Sequence, residues 1–396
     1  MGFRAIKDFT LLLLIFSFIN DNFMVEIAGE ASLKIVFALF ILVNIIDIAQ
    51  AFTKLSNRVM TSFLIFITIM TVVMLISTIF YSGAPLSKGF MVILPMTVVF
   101  VYISYYENFD RLLYFIWLSV IISAVISLFN EPATQWTFRR SGGTTDPNEF
   151  STHLLTAMAI TVYLFYKNKN FLFLFGSIIL FSYTLLYAGS KSAMLTLAVM
   201  IVYAIYVKFN FLIKKIFSFK GLIAFIIIAI IALQIDFGKM EAIAGMQERA
   251  QAQGTADTRF VSWEAGLRMA EDNFLFGVGF DVYEDYARGY ALDFIADGSL
   301  APHNIFVKLI AETGIFAFAS FILFLYLLFS TKYREIISGE YYWIHLAAFS
   351  NILMGLTLSS TYEKYFWMSL ALLSHVIIIL YQQKNEVESE NTPYST

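Results

Sequence analysis

His303, Lys308 and Glu312 stand together in the stretch A-P-H-N-I-F-V-K-L-I-A-E-T-G-I-F, residues 301–316, at the head of one of the most apolar segments of the chain. An imidazole can take a proton near neutral pH, and an ammonium and a carboxylate four residues apart can pair across one helical turn. Charges at bilayer depth cost roughly 2.5–3.5 kcal/mol each on insertion scales, so groups of this kind in an apolar run are seldom accidental. His303 follows Pro302 and directly precedes a helical run. A helix N-terminus there would favour an anionic ligand and disfavour protonation of the ring. Asn304 follows as a further polar group at the same helix start.

Other cations accumulate in polar turns. Arg139 and Arg140 precede S-G-G-T-T-D-P-N-E-F, Lys191 lies in Y-A-G-S-K-S-A-M, and Arg259 opens T-R-F-V-S-W-E-A-G-L. Cations gathered this way suit a polyanion such as a pyrophosphate, with headgroup contact as the plainer alternative. Of the four histidines, His345 and His375 fall within the inner half of apolar runs, where hydrogen-bonded packing accounts for them. His153 and His303 fall at the outer rim, and only His303 has charged company.

The elements that must position these groups are membrane helices. Of 396 residues, 59% are apolar, 17% aromatic and only 14% charged, with a mean hydropathy of +0.74. Runs near the roughly 20 residues that cross a bilayer recur along the chain. They place spans at 6–20, 33–52, 60–80, 89–105, 112–129, 150–166, 171–187, 192–208, 219–235, 304–329, 341–358 and 364–381. The expectation is an all-α polytopic bundle of about twelve transmembrane helices, forming a single integral membrane domain over residues 1–396. The first run is the shortest and resembles a signal peptide. It is kept as a span because no small-residue cleavage site follows it.

With the N-terminus inside, the cytoplasmic segments hold fourteen Lys and Arg residues against six in the short outer loops. That asymmetry places both termini in the cytoplasm. It also places the longest connection, residues 236–302 between spans nine and ten, on the outer face. The inner loops leave no room for a nucleotide-binding domain, and no G-x-x-x-x-G-K-[ST] loop occurs; the short Gly277–Gly279 motif lacks the frame of a dinucleotide fingerprint. Nothing suggests nucleic acid as a partner. Cysteine is absent, which excludes disulfides and thiolate metal sites. The spacing of Phe260, Trp263, Leu267 and Ala270 predicts an amphipathic helix lying on the membrane or capping the bundle.

Chemistry at the outer face cannot draw on ATP, so a substrate there must arrive activated and anchored in lipid. A polyprenyl pyrophosphate carrying a glycan fits. Cations would hold the leaving group, and His303 would deprotonate the attacking hydroxyl.

Four blocks carry a family resemblance: G-G-T-T-D-P-N-E-F; G-S-K-S-A-M-L-T-L; T-R-F-V-S-W-E-A-G-L with D-N-F-L-F-G-V-G-F-D-V-Y; and P-H-N-I-F-V-K-L-I-A-E-T-G-I-F. Their order resembles the O-antigen ligase and polymerase superfamily, over about residues 139–316. The resemblance implies a metal-independent, inverting glycosyltransferase of the bacterial cytoplasmic membrane that needs no cofactor and uses an undecaprenyl-pyrophosphate-linked oligosaccharide as donor. It implies a glycan or a lipid A core as acceptor, and a flippase and a chain-length regulator as candidate partners alongside membrane lipids. On this mapping Arg259 and Lys191 hold the donor pyrophosphate, Arg139, Arg140 and Asn304 contribute to binding, and His303 is the general base. Lys308 and Glu312 support the helix that places it. The family usually has arginine where this chain has Lys191, which keeps the charge without the two-pronged grip.

Asp281, Glu284, Asp285, Asp293 and Asp297 match no calcium-loop template and read as solvated charge or as contacts to acceptor hydroxyls. A twelve-span glycolipid transporter is the competing class, weighed against by the asymmetric outer loop and the lack of an internal repeat. Within the enzyme reading a polymerase is expected, with a ligase as the alternative.

Overall fold

The computed structural model describes residues 2–54, 57–80, 86–129, 140–144, 146–216, 255–291, 300–358 and 363–390. Among them the chain forms fifteen α-helices and no strand: α1 (Phe3–Ile19), α2 (Asp21–Ala28), α3 (Ser32–Thr53), α4 (Arg58–Phe80), α5 (Leu86–Ser104), α6 (Phe109–Phe129), α7 (Pro147–Asn168), α8 (Phe171–Ala188), α9 (Lys191–Ile216), α10 (Thr255–Asp272), α11 (Tyr283–Tyr290), α12 (Ile305–Ser330), α13 (Tyr333–Ser338), α14 (Tyr342–Gly355) and α15 (Lys364–Glu390). In an apolar solvent a helix satisfies its own backbone, which is why the long apolar runs take no other form. Polar residues punctuate them. Asp146 caps α7 by accepting from Asn148 N at 2.7 Å, with Pro147 as the first helical residue, and Gly189 ends α8 in the left-handed region at φ 60°.

Seven described helices are long and apolar enough to cross a membrane, or eight if the bent pair α1 and α2 is one span. The chain is therefore an all-α polytopic membrane protein. The twelve runs of the sequence reading divide as follows. Residues 219–235 lie outside the described residues. Residues 89–105 form a shorter apolar helix, Gly89–Ser104. Residues 341–358 hold α14, which is 14 residues long. Residues 150–166 fall in α7, which is polar for a span because it is enclosed: Thr152, His153, Thr156 and Thr161 are all buried. A helix surrounded by other helices needs no lipid-compatible face. The first run is not straight either. α1 turns by 103° into α2 at Asn20, whose buried amide donates to Phe16 O and Ser119 O, both at 3.3 Å.

α12 packs against α4, α15 against α5, and α14 and α8 against α7. At the centre Phe63, Phe66, Phe100, Phe324 and Trp367 are fully buried and in ring contact, with Phe63 stacked on Phe100 at 3.9 Å between centroids. A second, smaller core belongs to α10 and α11. Ala265, Met269, Val282, Tyr283 and Ala287 pack on Ala311 of α12.

The tenth span of the sequence reading, 304–329, is not one continuous helix. Gly314 adopts φ 71°, ψ −173° and breaks α12 into two parts. The segment before α11 fills the break: Val278 N donates to Ala311 O at 2.9 Å, Gly279 N to Glu312 O at 3.0 Å, and Ile315 N to Phe274 O at 2.9 Å. Backbone groups freed by a broken helix must find partners, and this loop supplies them. The approach leaves no room for side chains. A Cβ on Gly314 would lie 2.3 Å from Leu275 O, and one on Gly277, at φ 68°, would lie 2.3 Å from the Glu312 carbonyl carbon. The G-V-G motif is thus a backbone clamp on α12.

Candidate functional site

The clamp fixes the start of α12, where the chemistry gathers. Asn304 is its N-cap: Oδ1 accepts from Phe306 N at 2.9 Å and from Val307 N at 3.2 Å. The amide oxygen expected to bind substrate is thereby taken up by two backbone N–H groups of the helix end, so those donors do not point at a ligand. His303, one residue earlier, has φ 43°, a left-handed conformation that histidine adopts more readily than most residues.

α10 holds the extended segment that carries His303. Ser262 Oγ donates to Leu300 O at 2.7 Å and to Ala301 O at 3.1 Å, and Trp263 Nε1 donates to Pro302 O at 2.6 Å. Sequence reasoning placed Trp263 on an apolar face with Phe260 and Leu267. The packed face is instead Ser262, Ala265 and Met269, while Phe260 and Leu267 are 61% and 56% exposed. Small residues face inward because the neighbours come close. A Cβ on Gly266 would meet the Tyr283 hydroxyl at 2.4 Å and Val307 at 2.5 Å. Ser262 and Trp263 were missed as positioning residues, although T-R-F-V-S-W had been singled out as a block.

Arg259 lies one turn before them on α10. Its guanidinium acts on His303 together with burial, which is the larger cause, to hold the imidazole below its ordinary value of 6.5, against the opposing pull of Asp146 and Glu284. His303 is half-buried, with the Arg259 cation and the Asp146 and Glu284 carboxylates all acting on it.

Beside His303 opens a cavity of about 420 Å³ lined also by Lys308, Glu312 and an unusual number of acids. The loop before and within α11 contributes Asp281, Glu284 and Asp285. The turn into α7 contributes Asp146 and Glu149, and the entry to α15 contributes Glu363 and Tyr365. Asp281, Glu284 and Asp285 are therefore cavity residues rather than merely solvated loop charge. Asp293 and Asp297 lie outside the described residues. Glu363, just before α15, has its carboxyl pushed above the ordinary range by burial, with Lys364 opposing.

Lys308 Nζ lies 3.4 Å from Asp281 Oδ1, and the fully buried Glu312 accepts through Oε1 from Tyr283 N, the first N–H of α11, at 2.9 Å. Both supporting residues face the protein interior, as expected, and each reaches across to the loop. Glu312 thus ties α11 to α12 by its side chain while its carbonyl receives Gly279 N.

The remaining candidates stand elsewhere. Arg140 Nη1 donates to Ser127 O at 2.6 Å and Leu128 O at 2.8 Å, and its guanidinium lies 5.2 Å from the Tyr187 ring centroid. That engages its Nη1 with the last carbonyls of α6, where the negative helix end attracts a cation. Arg139 lies outside the described residues. Lys191 is exposed at the first position of α9 and is not among the cavity's lining residues. His153 is buried in α7, edge-on to Tyr365 at 4.4 Å between ring centroids, and His375 Nδ1 lies 2.8 Å from Ile103 O.

Residues 175–322 match the family model described as O-antigen ligase. The match takes in Lys191, Arg259, His303, Lys308, Glu312 and the clamp glycines, and supports the O-antigen ligase and polymerase superfamily resembled by the motifs. It does not reach the upstream D-P-N block. No curated protein matches the chain.

Proposed function

We propose, proceeding from that match, that the protein is an integral membrane glycosyltransferase that moves a polyprenyl-pyrophosphate-linked glycan onto an acceptor sugar at the outer face of the bacterial cytoplasmic membrane. The observation that carries the reading is the position of His303, half-buried at the wall of a carboxylate-lined cavity and within electrostatic reach of the Arg259 guanidinium. A neutral imidazole there takes the proton of an acceptor hydroxyl. The hydroxyl oxygen bonds to the donor's anomeric carbon as the bond from that carbon to the phosphate oxygen breaks. The pyrophosphate leaves with the electron pair, and its growing charge is met by Arg259. Attack from the face opposite the leaving group inverts the anomeric centre.

The reading places both termini in the cytoplasm and residues 236–302 outside. A reporter enzyme active only outside the cytoplasm, fused within that loop, tests the orientation. The transfer is assigned to polymerisation of surface-polysaccharide repeats, with a ligase, for which lipid A core is the acceptor, as the alternative. Gene deletion separates them. Single-repeat caps on the surface glycan follow loss of a polymerase, whereas accumulated lipid-linked polymer with bare core follows loss of a ligase. Purified protein should release polyprenyl pyrophosphate as glycan bonds form. Uptake of glycolipid into proteoliposomes without bond formation would overturn the enzyme reading in favour of a carrier.

A further inference from the structure

We propose that α10 and the turn after it form a hairpin whose apolar tip, Phe274, Leu275 and Phe276, dips into the lipid leaflet on the His303 side, so that acyl chains are the partner of this surface. The immersion holds whatever reaction His303 serves.

The hairpin descends beside a membrane span. Trp263 holds Pro302, a Cβ on Gly266 would meet Val307, and Phe274 O accepts from Ile315 N, so α10 and the first part of α12 run side by side in the same direction. From Trp263 to Phe274 the descent is about 16 Å at the helical rise per residue. A second helix marks the depth reached. Gly279 donates its N–H to Glu312 O, and a Cβ on it would lie 3.6 Å from Ser77 Cβ, inside the apolar span Arg58–Ile79 of α4. Phe274, level with Ile315 rather than Glu312, lies deeper still, so the tip reaches the hydrocarbon.

The side chains suit that depth. Phe274 and Leu275 are 55% and 49% exposed, and Phe276 touches Phe316, itself 52% exposed, with ring centroids 6.2 Å apart. Phe316 heads the exposed stripe of α12 that runs on through Ala319, Leu323 and Tyr326. In a membrane span such a stripe faces lipid, and the tip is continuous with it. No residue from Phe274 to Phe280 carries a charge. Lipid offers the backbone no hydrogen bonds, and the turn finds its own: Gly277 N donates to Asn273 O, Val278 N to Ala311 O, and Phe274 O accepts from Ile315 N. Glu271 and Asp272, exposed just before the tip, belong with the headgroups and keep the immersion shallow.

The chain has no cysteine, so a single introduced cysteine reports on its own position. A nitroxide would be attached to Leu275→Cys and to Phe316→Cys in the full-length protein, in vesicles of phosphatidylethanolamine and phosphatidylglycerol. Leu323→Cys serves as the lipid reference and Gly289→Cys, on α11, as the water reference; all four positions are exposed. Spin relaxation by oxygen, which concentrates among acyl chains, should exceed relaxation by a water-soluble nickel chelate at Leu275 and Phe316, as at Leu323, with the order reversed at Gly289. Nickel relaxation at Leu275 as strong as at Gly289 overturns the immersion. Weak relaxation by both reagents, as beneath a second protein chain, overturns it equally.

Discussion

The indole nitrogen of Trp263 donates to the carbonyl oxygen of Pro302 at 2.6 Å, one residue before the imidazole proposed to take the acceptor's proton. With Ser262 holding Leu300 and Ala301, this makes α10 a jig for His303, and it explains why Arg259 and His303 occupy one site although 44 positions separate them in the chain. Trp263→Phe keeps the ring and removes the donor. It should lower kcat with little change in thermal stability, whereas Ser262→Ala should lower both, because it removes the buried hydroxyl donor that Leu300 O shares with Ala301 O. A left-over carbonyl that water cannot reach costs about 1–3 kcal/mol. Turnover unchanged in Trp263→Phe would remove the positioning role.

Gly314 and Gly277 are the positions where a side chain has no place. Gly314→Ala and Gly277→Ala each put a methyl group against backbone at 2.3 Å and force a residue with positive φ into strain. Both variants should accumulate poorly in the membrane and melt earlier than the parent. Gly289→Ala, where nothing lies within 4 Å of the added carbon, should behave as the parent. Parental melting of Gly314→Ala would mean that the broken helix is not needed.

How far the chain could be read without coordinates varies with the feature. Helix class, a helix starting just after His303 and the interior facing of Lys308 and Glu312 follow from hydropathy and spacing. The break at Gly314 does not, because an apolar run containing E-T-G-I-F has the length and composition of a whole span, and glycine is common within membrane helices. The contacts of Arg140 were equally hidden. A cation in a turn does not show the carbonyls of Ser127 and Leu128 beside it. The packed face of α10 was hidden too, because the spacing of large apolar residues defines the face of Phe260 and Leu267, while close packing on α11 and α12 selects the small ones.

Glu312 links α12 to α11 as an acceptor, so its oxygen matters to folding. Glu312→Gln retains an oxygen for Tyr283 N and should remain near parental stability. Glu312→Ala leaves that N–H buried without the bond, a loss of about 1–3 kcal/mol read as an earlier melting transition. Equal melting of the two variants would count against the link.

The pH dependence has a definite sign. Burial and the Arg259 guanidinium disfavour protonated His303, so its folded value lies below the 6.5 of the free group. The unfolded chain then binds more protons below 6.5. This group leaves stability undiminished above that pH and erodes it as pH falls toward the lowered value. Activity should follow the same group, with the acid limb of kcat/KM falling below 6.5 and moving upward in Arg259→Gln, which removes a repelling charge. A limb above 6.5 in the parent, or one that Arg259→Gln leaves in place, would contradict the assignment.

The most direct measurement is single-turnover transfer by purified His303→Ala and His303→Gln from a defined polyprenyl-pyrophosphate glycan to its acceptor, beside binding of polyprenyl pyrophosphate to the same preparations. Positioned bases contribute about 10² to 10⁴-fold, so both variants should lose turnover by that order while binding the pyrophosphate as the parent does. A His303→Ala protein that transfers glycan at the parental rate is not using this residue as its base, and the account built around it would fall.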